Sequence, residues 1–338
     1  MVSPRSIGRW VLPASALLLT AAAPPVDDEA MVHAQRELMG TGFQVRIPVT
    51  EQTRLEAERV AELALDEVAR IERLVSSWLA DSQLSEVNRR AGGTPVPVDA
   101  ELLGLVRRAL EICNQTGGLF DITYRPLAAV WELSAEPFVL PEPALVAAAR
   151  DKVDCSKVEV DEGASTLRLA EEGMSIGLGG IAKGYAVDRA SALLWSEGFI
   201  DSLVDGGGDV LARGRPADRS WLVGVQHPRE PLGTPLAQVA LEDRALVTSG
   251  DYLRFAMHEG TRYHHILDPR TGQPARGLIS VSVLDASAER ADALATALFV
   301  AGPEGALELL GQLPEVDALL VIEGGELSMT EGFAATMQ

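Results

Sequence analysis

GLGGIAKGYAVD, spanning Gly177–Asp188, is the stretch on which the reading of the fold turns. Three glycines, Gly177, Gly179 and Gly180, feed what reads as a helix. The free N–H groups and positive dipole end of a helix start suit an anion, and phosphate above all. Lys183, in the first turn, adds a point charge. Gly177, Gly179 and Ala182 also fit the loose pattern GxGxxA of a dinucleotide-binding βαβ unit, which would require a doubly wound parallel sheet. That reading needs an acidic residue about 20 positions on, ending the next strand. Asp201 stands near that spacing but precedes the apolar run, and Asp205 ends the run but lies further out. A P-loop is excluded because Gly-Lys-[Ser/Thr] is absent. The plain alternative is a tight strand-to-helix turn with a solvated lysine.

The flanking chain argues against a parallel sheet. Apolar residues recur at helical spacing in Arg54–Leu79, through Leu55, Val60, Leu63, Val68, Ile71, Leu74 and Val75. Ala100–Thr116 reads as a second helix closed by Gly117 and Gly118, and Pro141–Lys152 as a third. Ile181–Glu197 is ended by Gly198, and Glu289–Ala301 is stopped by Gly302-Pro303. Leu38–Pro48 reads as a strand, Ser76–Arg89 as a helix end plus a loop, and Thr166–Ala170 with Met174–Leu178 as extended chain. Ser202–Arg213 is strand-like on both sides of Gly206–Gly208. Short strands and turns fill Trp221–Val283, and 313–333 closes as a hairpin. Strands and helices mix without strict alternation, which predicts an α+β domain of mixed or antiparallel sheets flanked by helices.

The chain has 338 residues, 47% of them hydrophobic, and a formal net charge of −20. Such a field repels a polyanion, so nucleic acid is excluded as a partner, and it opposes an anionic lipid surface. Arg5 and Arg9 precede a mostly apolar run, Val11–Thr20, and the small residues Ala21–Ala23. Residues 1–23 therefore read as a secretory signal peptide, with a core shorter than the ~20 residues a spanning helix needs. Residues 24–35, polar and Pro-containing, read as a linker, leaving 36–338 as one domain. The two cysteines, Cys113 and Cys155, either pair in an exported protein or remain two buried thiols.

The C-terminal half carries further chemistry. In ADALATALFVAG, Asp292 and Thr296 stand at i and i+4 on one helix face. A carboxylate and a hydroxyl there are hard oxygen ligands suited to Mg2+, unless Asp292 only complements the helix dipole. HHILDPRTG holds adjacent histidines, and in a strand His264 and His265 must face opposite ways. One of them near a phosphate is a candidate proton acceptor.

Eight motifs in order, MGT (Met39–Thr41), SSWLADSQLSEVN, GGLFDIT, LGGIAKGYAVD, DGGGDV, TSGDY, HHILDPRTG and ADALATALFVAG, resemble the ApbE family of FAD:protein FMN transferases. The resemblance implies an α+β fold and an exported enzyme, periplasmic or on the outer face of the inner membrane. It implies that FAD is the substrate, Mg2+ the metal, and a Thr or Ser hydroxyl the acceptor, giving a phosphoester and AMP. The acceptor would be a flavoprotein subunit of a redox complex or a periplasmic flavoprotein. Some members of this family instead hydrolyse FAD to FMN and AMP, and a flavin binder without catalysis is a third possibility. Carried over residue by residue, the resemblance implies that Met39 and Trp78 pack on the adenine side and that Leu119, Phe120 and Asp121 line the nucleotide. Lys183 and Leu267 would meet FAD. Gly180, Asp292 and Thr296 would hold the metal, and His265 would take the acceptor's proton. The family commonly has Asp where Gly177 stands, so Gly177→Asp is expected to tighten FAD or Mg2+ binding unless the turn needs positive φ there.

Overall fold

A computed structural model describes residues 31–338. The expected signal peptide, and residues 24–30 of the expected linker, lie outside the described residues. In chain order the first elements are β1 (Met31–Leu38), β2 (Thr41–Pro48), α1 (Arg54–Val75), α2 (Gln83–Arg89), β3 (Val96–Pro97), α3 (Ala100–Gln115), α4 (Arg125–Trp131) and α5 (Pro143–Arg150). Then come β4 (Val158–Asp161), β5 (Thr166–Leu169), α6 (Ala182–Ser196), β6 (Ser202–Gly206), β7 (Val210–Arg213), β8 (Trp221–Gln226), β9 (Pro235–Leu241) and β10 (Arg244–Gly250). The chain ends with β11 (Phe255–His258), β12 (Thr261–His264), β13 (Leu278–Asp285), α7 (Ala288–Gln312), β14 (Asp317–Ile322), β15 (Leu327–Met329) and α8 (Glu331–Ala334).

The main sheet has eight strands in the order β1-β2-β6-β7-β10-β13-β14-β15. Every neighbouring pair is antiparallel, which removes the doubly wound alternative. Successive side chains of a strand point to opposite faces, and here both faces find cover. Val45, Val204, Val247, Val281 and Leu320 pack under α1, α6 and α7, whereas Leu203, Leu246, Leu284 and Leu319 join the core made with β8, β9 and Phe333. Central strand β13 is buried at all eight positions and reads as LISVSVLD, an apolar run rather than the alternation of a half-wet sheet.

Four local expectations change. Residues 31–35 are not linker but the first half of β1, whose partner β2 follows the two-residue turn Met39-Gly40. Both turn residues have positive φ, 53° and 76°, which matches the strand twist as a primed turn does. Ser76–Arg89 holds a short helix, α2, capped by Ser82 accepting from the Ser85 N–H at 3.0 Å. Met174–Leu178 forms no strand. α7 does break at Gly302, with φ of 72°, but Pro303 starts a second segment that runs to Gln312. Cys113 of α3 and Cys155 before β4 are joined as a disulfide.

Candidate active site

The site is built where the N-terminal ends of α6 and α7 cross. Gly184 makes the crossing possible: a side chain there would overlap the Ala288 carbonyl, and its Cβ would stand 2.8 Å from Glu289 Cα. One turn on, Asp188 locks the contact. Its carboxylate accepts from the Ser287 hydroxyl at 2.7 Å, the Ala288 N–H at 2.9 Å and the Glu289 N–H at 3.0 Å. Those donors are the otherwise unpaired start of α7. Gly184→Ala must push the helices apart, and overpacking of this kind costs roughly 1–3 kcal/mol or more. The variant is expected to melt several degrees lower. An unchanged Tm in a thermal scan would show that the crossing has slack.

This crossing brings Asp292, one turn into α7, beside Lys183 and Gly184. The Gly184 N–H donates to Asp292 Oδ2 at 3.2 Å, and Lys183 Nζ lies 4.0 Å from Asp292 Oδ1. Lys183 also donates to Asp209 Oδ2, at the end of the triple-glycine hairpin between β6 and β7. Asp209 and Asp292 are only 1% and 4% exposed. Burial pushes both carboxyls above the usual range, against the pull of Lys183, and Asp292 raises Asp209 further. Burial would lower the Lys183 pKa, but the two carboxylates outweigh it and keep the ammonium charged. Two buried carboxylates against one ammonium leave an excess negative charge, which a bound cation offsets.

The surrounding oxygen set fits a hard cation. Thr296 Oγ1 lies 3.4 Å from Ser249 Oγ and 3.3 Å from the Asp292 carbonyl oxygen. A Cβ on Gly180 would sit 3.4 Å from the same Thr296 oxygen, so Gly180 and Thr296 stand together, one helical turn from Asp292. Oxygen donors with one open carboxylate oxygen are what Mg2+ or Ca2+ takes.

The glycine turn differs from an open anion cradle. The Gly177 N–H donates to Ile122 O at 2.8 Å, and the Ile181 and Ala182 N–H groups donate to Leu178 O at 3.1 and 2.8 Å. The Tyr124 hydroxyl stands 3.1 Å from where a Gly179 Cβ would be. Three of the turn's amides therefore serve the chain, and side chains must add to the charge that holds an anion. The backbone at Gly177 is outside the left-handed region, yet its missing Cβ would press on the Tyr124 hydroxyl and Arg125 Cγ, both at 3.0 Å. A side chain there must displace the Tyr124 hydroxyl or the Arg125 stem, which counts against the expected benefit of Gly177→Asp.

The two histidines separate as a strand requires. His264 is buried, donates through Nε2 to the Ala275 carbonyl at 2.9 Å, accepts the Ile266 N–H on Nδ1, and packs edge-on against Phe299. It is a structural residue. His265 is exposed, and its Nδ1 lies 3.3 Å from the Arg254 carbonyl oxygen. A carbonyl only accepts, so Nδ1 carries the proton and Nε2 keeps a free lone pair. Although the side chain reaches solvent, the protein packed around the ring lowers its pKa, against the pull of the Arg254 carbonyl. The neighbouring His264, Arg254 and Lys183 lower it further. The imidazole is neutral at pH 7, as a base must be.

The other expected residues spread around this centre. Phe120 is buried with its ring edge 3.2 Å from a Gly180 Cβ position, and Leu119 is partly buried against the same core. Met39, in the β1–β2 turn, has its N–H held by Glu72 at 2.8 Å. Trp78 is 86% exposed, with the Arg125 guanidinium 5.0 Å from its ring centroid. Two expectations shift. Asp121 was read as lining the nucleotide, but its carboxylate is used by the chain: Oδ1 accepts from the Thr123 N–H and hydroxyl, and Oδ2 from the Cys155 N–H. The Leu267 side chain is buried with Leu127, Trp131, Val146 and Ala149, which leaves its backbone for any ligand contact. Asp209, Ser249, Tyr124, Arg125 and Arg254 were not singled out. Asp209 had a signal, an acid closing the glycine run DGGGDV between two apolar stretches.

The sequence matches the ApbE family over residues 39–320. A FAD:protein FMN transferase of Treponema pallidum (strain Nichols) is 34% identical over 310 residues, covering 87% of this chain and 85% of the relative. Another, of Klebsiella pneumoniae (strain 342), is 30% identical over 98% of this chain and 93% of the relative. The crystal structure of the ApbE protein of Thermotoga maritima superposes with a TM-score of 0.84 at 30% identity, over 91% of this chain and 99% of that one. The apo form of the Pseudomonas stutzeri flavinyl transferase ApbE gives 0.79 at 27% identity, over 90% and 96%. The fold is thus that of the ApbE structures. The chain belongs to the ApbE family.

Proposed function

We propose that this protein transfers FMN from FAD to a Ser or Thr hydroxyl of an acceptor flavoprotein and releases AMP. The observation that supports it most is the buried Lys183–Asp209–Asp292 cluster beside Thr296 and Gly180, a charge arrangement with room for a cation and its phosphate ligand. Asp292, Thr296 and the Gly180 carbonyl would hold Mg2+, whose charge offsets that of the pyrophosphate. Lys183, steered by Asp209, presents its ammonium to the phosphate oxygens, where fixed positive charge stabilises the charge that develops in transfer. The acceptor oxygen attacks the FMN phosphorus and forms the new P–O bond. His265 Nε2 takes the hydroxyl proton, and the P–O bond to AMP breaks. Positioning and electrostatics carry most of the rate in such a reaction.

Incubation with FAD, Mg2+ and a candidate acceptor tests this directly. Flavin bonded to the acceptor supports transfer, free FMN indicates a pyrophosphatase, and unchanged FAD a binder. Export is part of the same reading, and the Cys113–Cys155 disulfide suits an oxidising compartment outside the cytoplasmic membrane. N-terminal sequencing of the mature protein is expected to begin between Ala22 and Ala30, because later cleavage would remove residues of β1. An intact Met1 on soluble cytoplasmic protein contradicts export.

A further inference from the structure

Arg125 opens α4, and its stem lies across Gly177, with Cγ and Cδ 3.0 and 3.1 Å from where a Cβ would stand. Gly177 is not needed for φ, so what its bare Cα provides is room for this arginine. Three features set the guanidinium apart. Nη1 donates to Ser77 Oγ, and the guanidinium stacks on the exposed ring of Trp78, which fixes its plane. Nε–H is buried and has no hydrogen-bond partner. Among the described residues no carboxylate pairs with it, in a chain whose net charge is −20. Leaving a buried donor of a charged group unmade is costly, and such a group marks a ligand position. With Nη1 engaged, Nε and Nη2 form the fork that grips two oxygens of a phosphate. Three amides of the adjacent turn, those of Gly177, Ile181 and Ala182, are already used, so an anion there gains from this cation.

We propose that Arg125, seated on Gly177, binds the diphosphate of the dinucleotide substrate. The proposal rests on the FAD reading above. It makes Gly177 and Arg125 one unit: a carboxylate at 177 would satisfy Nε and Nη2 internally and withdraw them from the ligand.

The test is calorimetric binding of FAD and of inorganic pyrophosphate, each with Mg2+. Arg125→Met keeps the stem on Gly177 and Trp78 while removing the fork. Its affinity for both ligands is expected to fall about 10- to 100-fold, as for loss of a charge-assisted pair. Gly177→Asp is expected to show a similar loss, and the double variant no further one. Parent-like affinity in Arg125→Met, or additive losses in the double variant, would overturn the proposal. Arg125→Lys, with the charge but not the fork, is expected to recover part of the affinity. No recovery, together with a lower Tm, would make Arg125 a structural residue. A parent that binds pyrophosphate but not FAD refutes the flavin reading alone, provided Arg125→Met still loses pyrophosphate. A parent that binds neither refutes both.

Discussion

Asp292→Ala is expected to release no measurable AMP from FAD, yet to melt no lower than the parent in metal-free buffer. The two halves of this result have one cause. Asp292 gives the cluster its excess negative charge, so removing it takes away the cation's anchor and with it the charge set against the pyrophosphate. The same substitution leaves Lys183 and Asp209 as a balanced pair and removes a carboxylate that burial holds above its usual pKa. Against that gain stand the Gly184 N–H, which loses its acceptor at 3.2 Å, and the lost attraction to Lys183 Nζ at 4.0 Å. Groups placed for function at the expense of stability behave in this way. AMP quantified by chromatography, beside thermal melts with and without Mg2+, checks both halves. The parent's melt should rise with added Mg2+ and the variant's should not. A variant that still turns over FAD in chelator would remove the metal from the mechanism.

His265→Ala is expected to slow transfer by roughly 10²- to 10⁴-fold at saturating FAD, the usual worth of a positioned base. FAD affinity should stay close to that of the parent, because Nε2 acts on the acceptor's proton and not on the nucleotide. The pH profile supplies a second readout. The ring's pKa in the folded protein lies below its ordinary 6.5, so the imidazole is in its base form throughout the neutral range. The rate should fall only as pH drops through that lowered value, on a limb below pH 6.5 that the alanine variant lacks. An unchanged rate at saturating FAD would make His265 a structural residue like His264.

Some of this site is local and therefore legible in the sequence. Asp292 and Thr296 share a face because i and i+4 always do on a helix. His264 is buried and His265 exposed, as the expected alternation has it, although the chain bends at His265 just past the end of β12. Lys183 follows a glycine turn that could only precede a helix. Asp209 reaches Lys183 through the register of the β6–β7 hairpin, in which Asp205 pairs with Val210, and no linear pattern states that register. Arg125 meets Gly177 only after the chain has folded back on itself. The conversion of β1 into an expected linker has a different origin. It is an edge strand, so its exposed positions carry His33, Gln35 and Glu37, the polar protection that keeps edges from pairing with other chains. The sequence leaves the glycine turn open between an anion cradle and a plain turn because it does not show that the Gly177, Ile181 and Ala182 amides are spent on Ile122 and Leu178.

The interlock of α6 and α7 has a bearing on when activity can begin. The Asp188 and Ser287 that clasp the crossing are 99 residues apart in the chain, and the charges of the cleft are brought together by that clasp. On the export and FAD readings proposed above, a polypeptide still threaded as an extended strand would hold Lys183 and Asp292 far from one another, and cleavage of FAD would start only once the two distant segments had closed, with no inhibitor required.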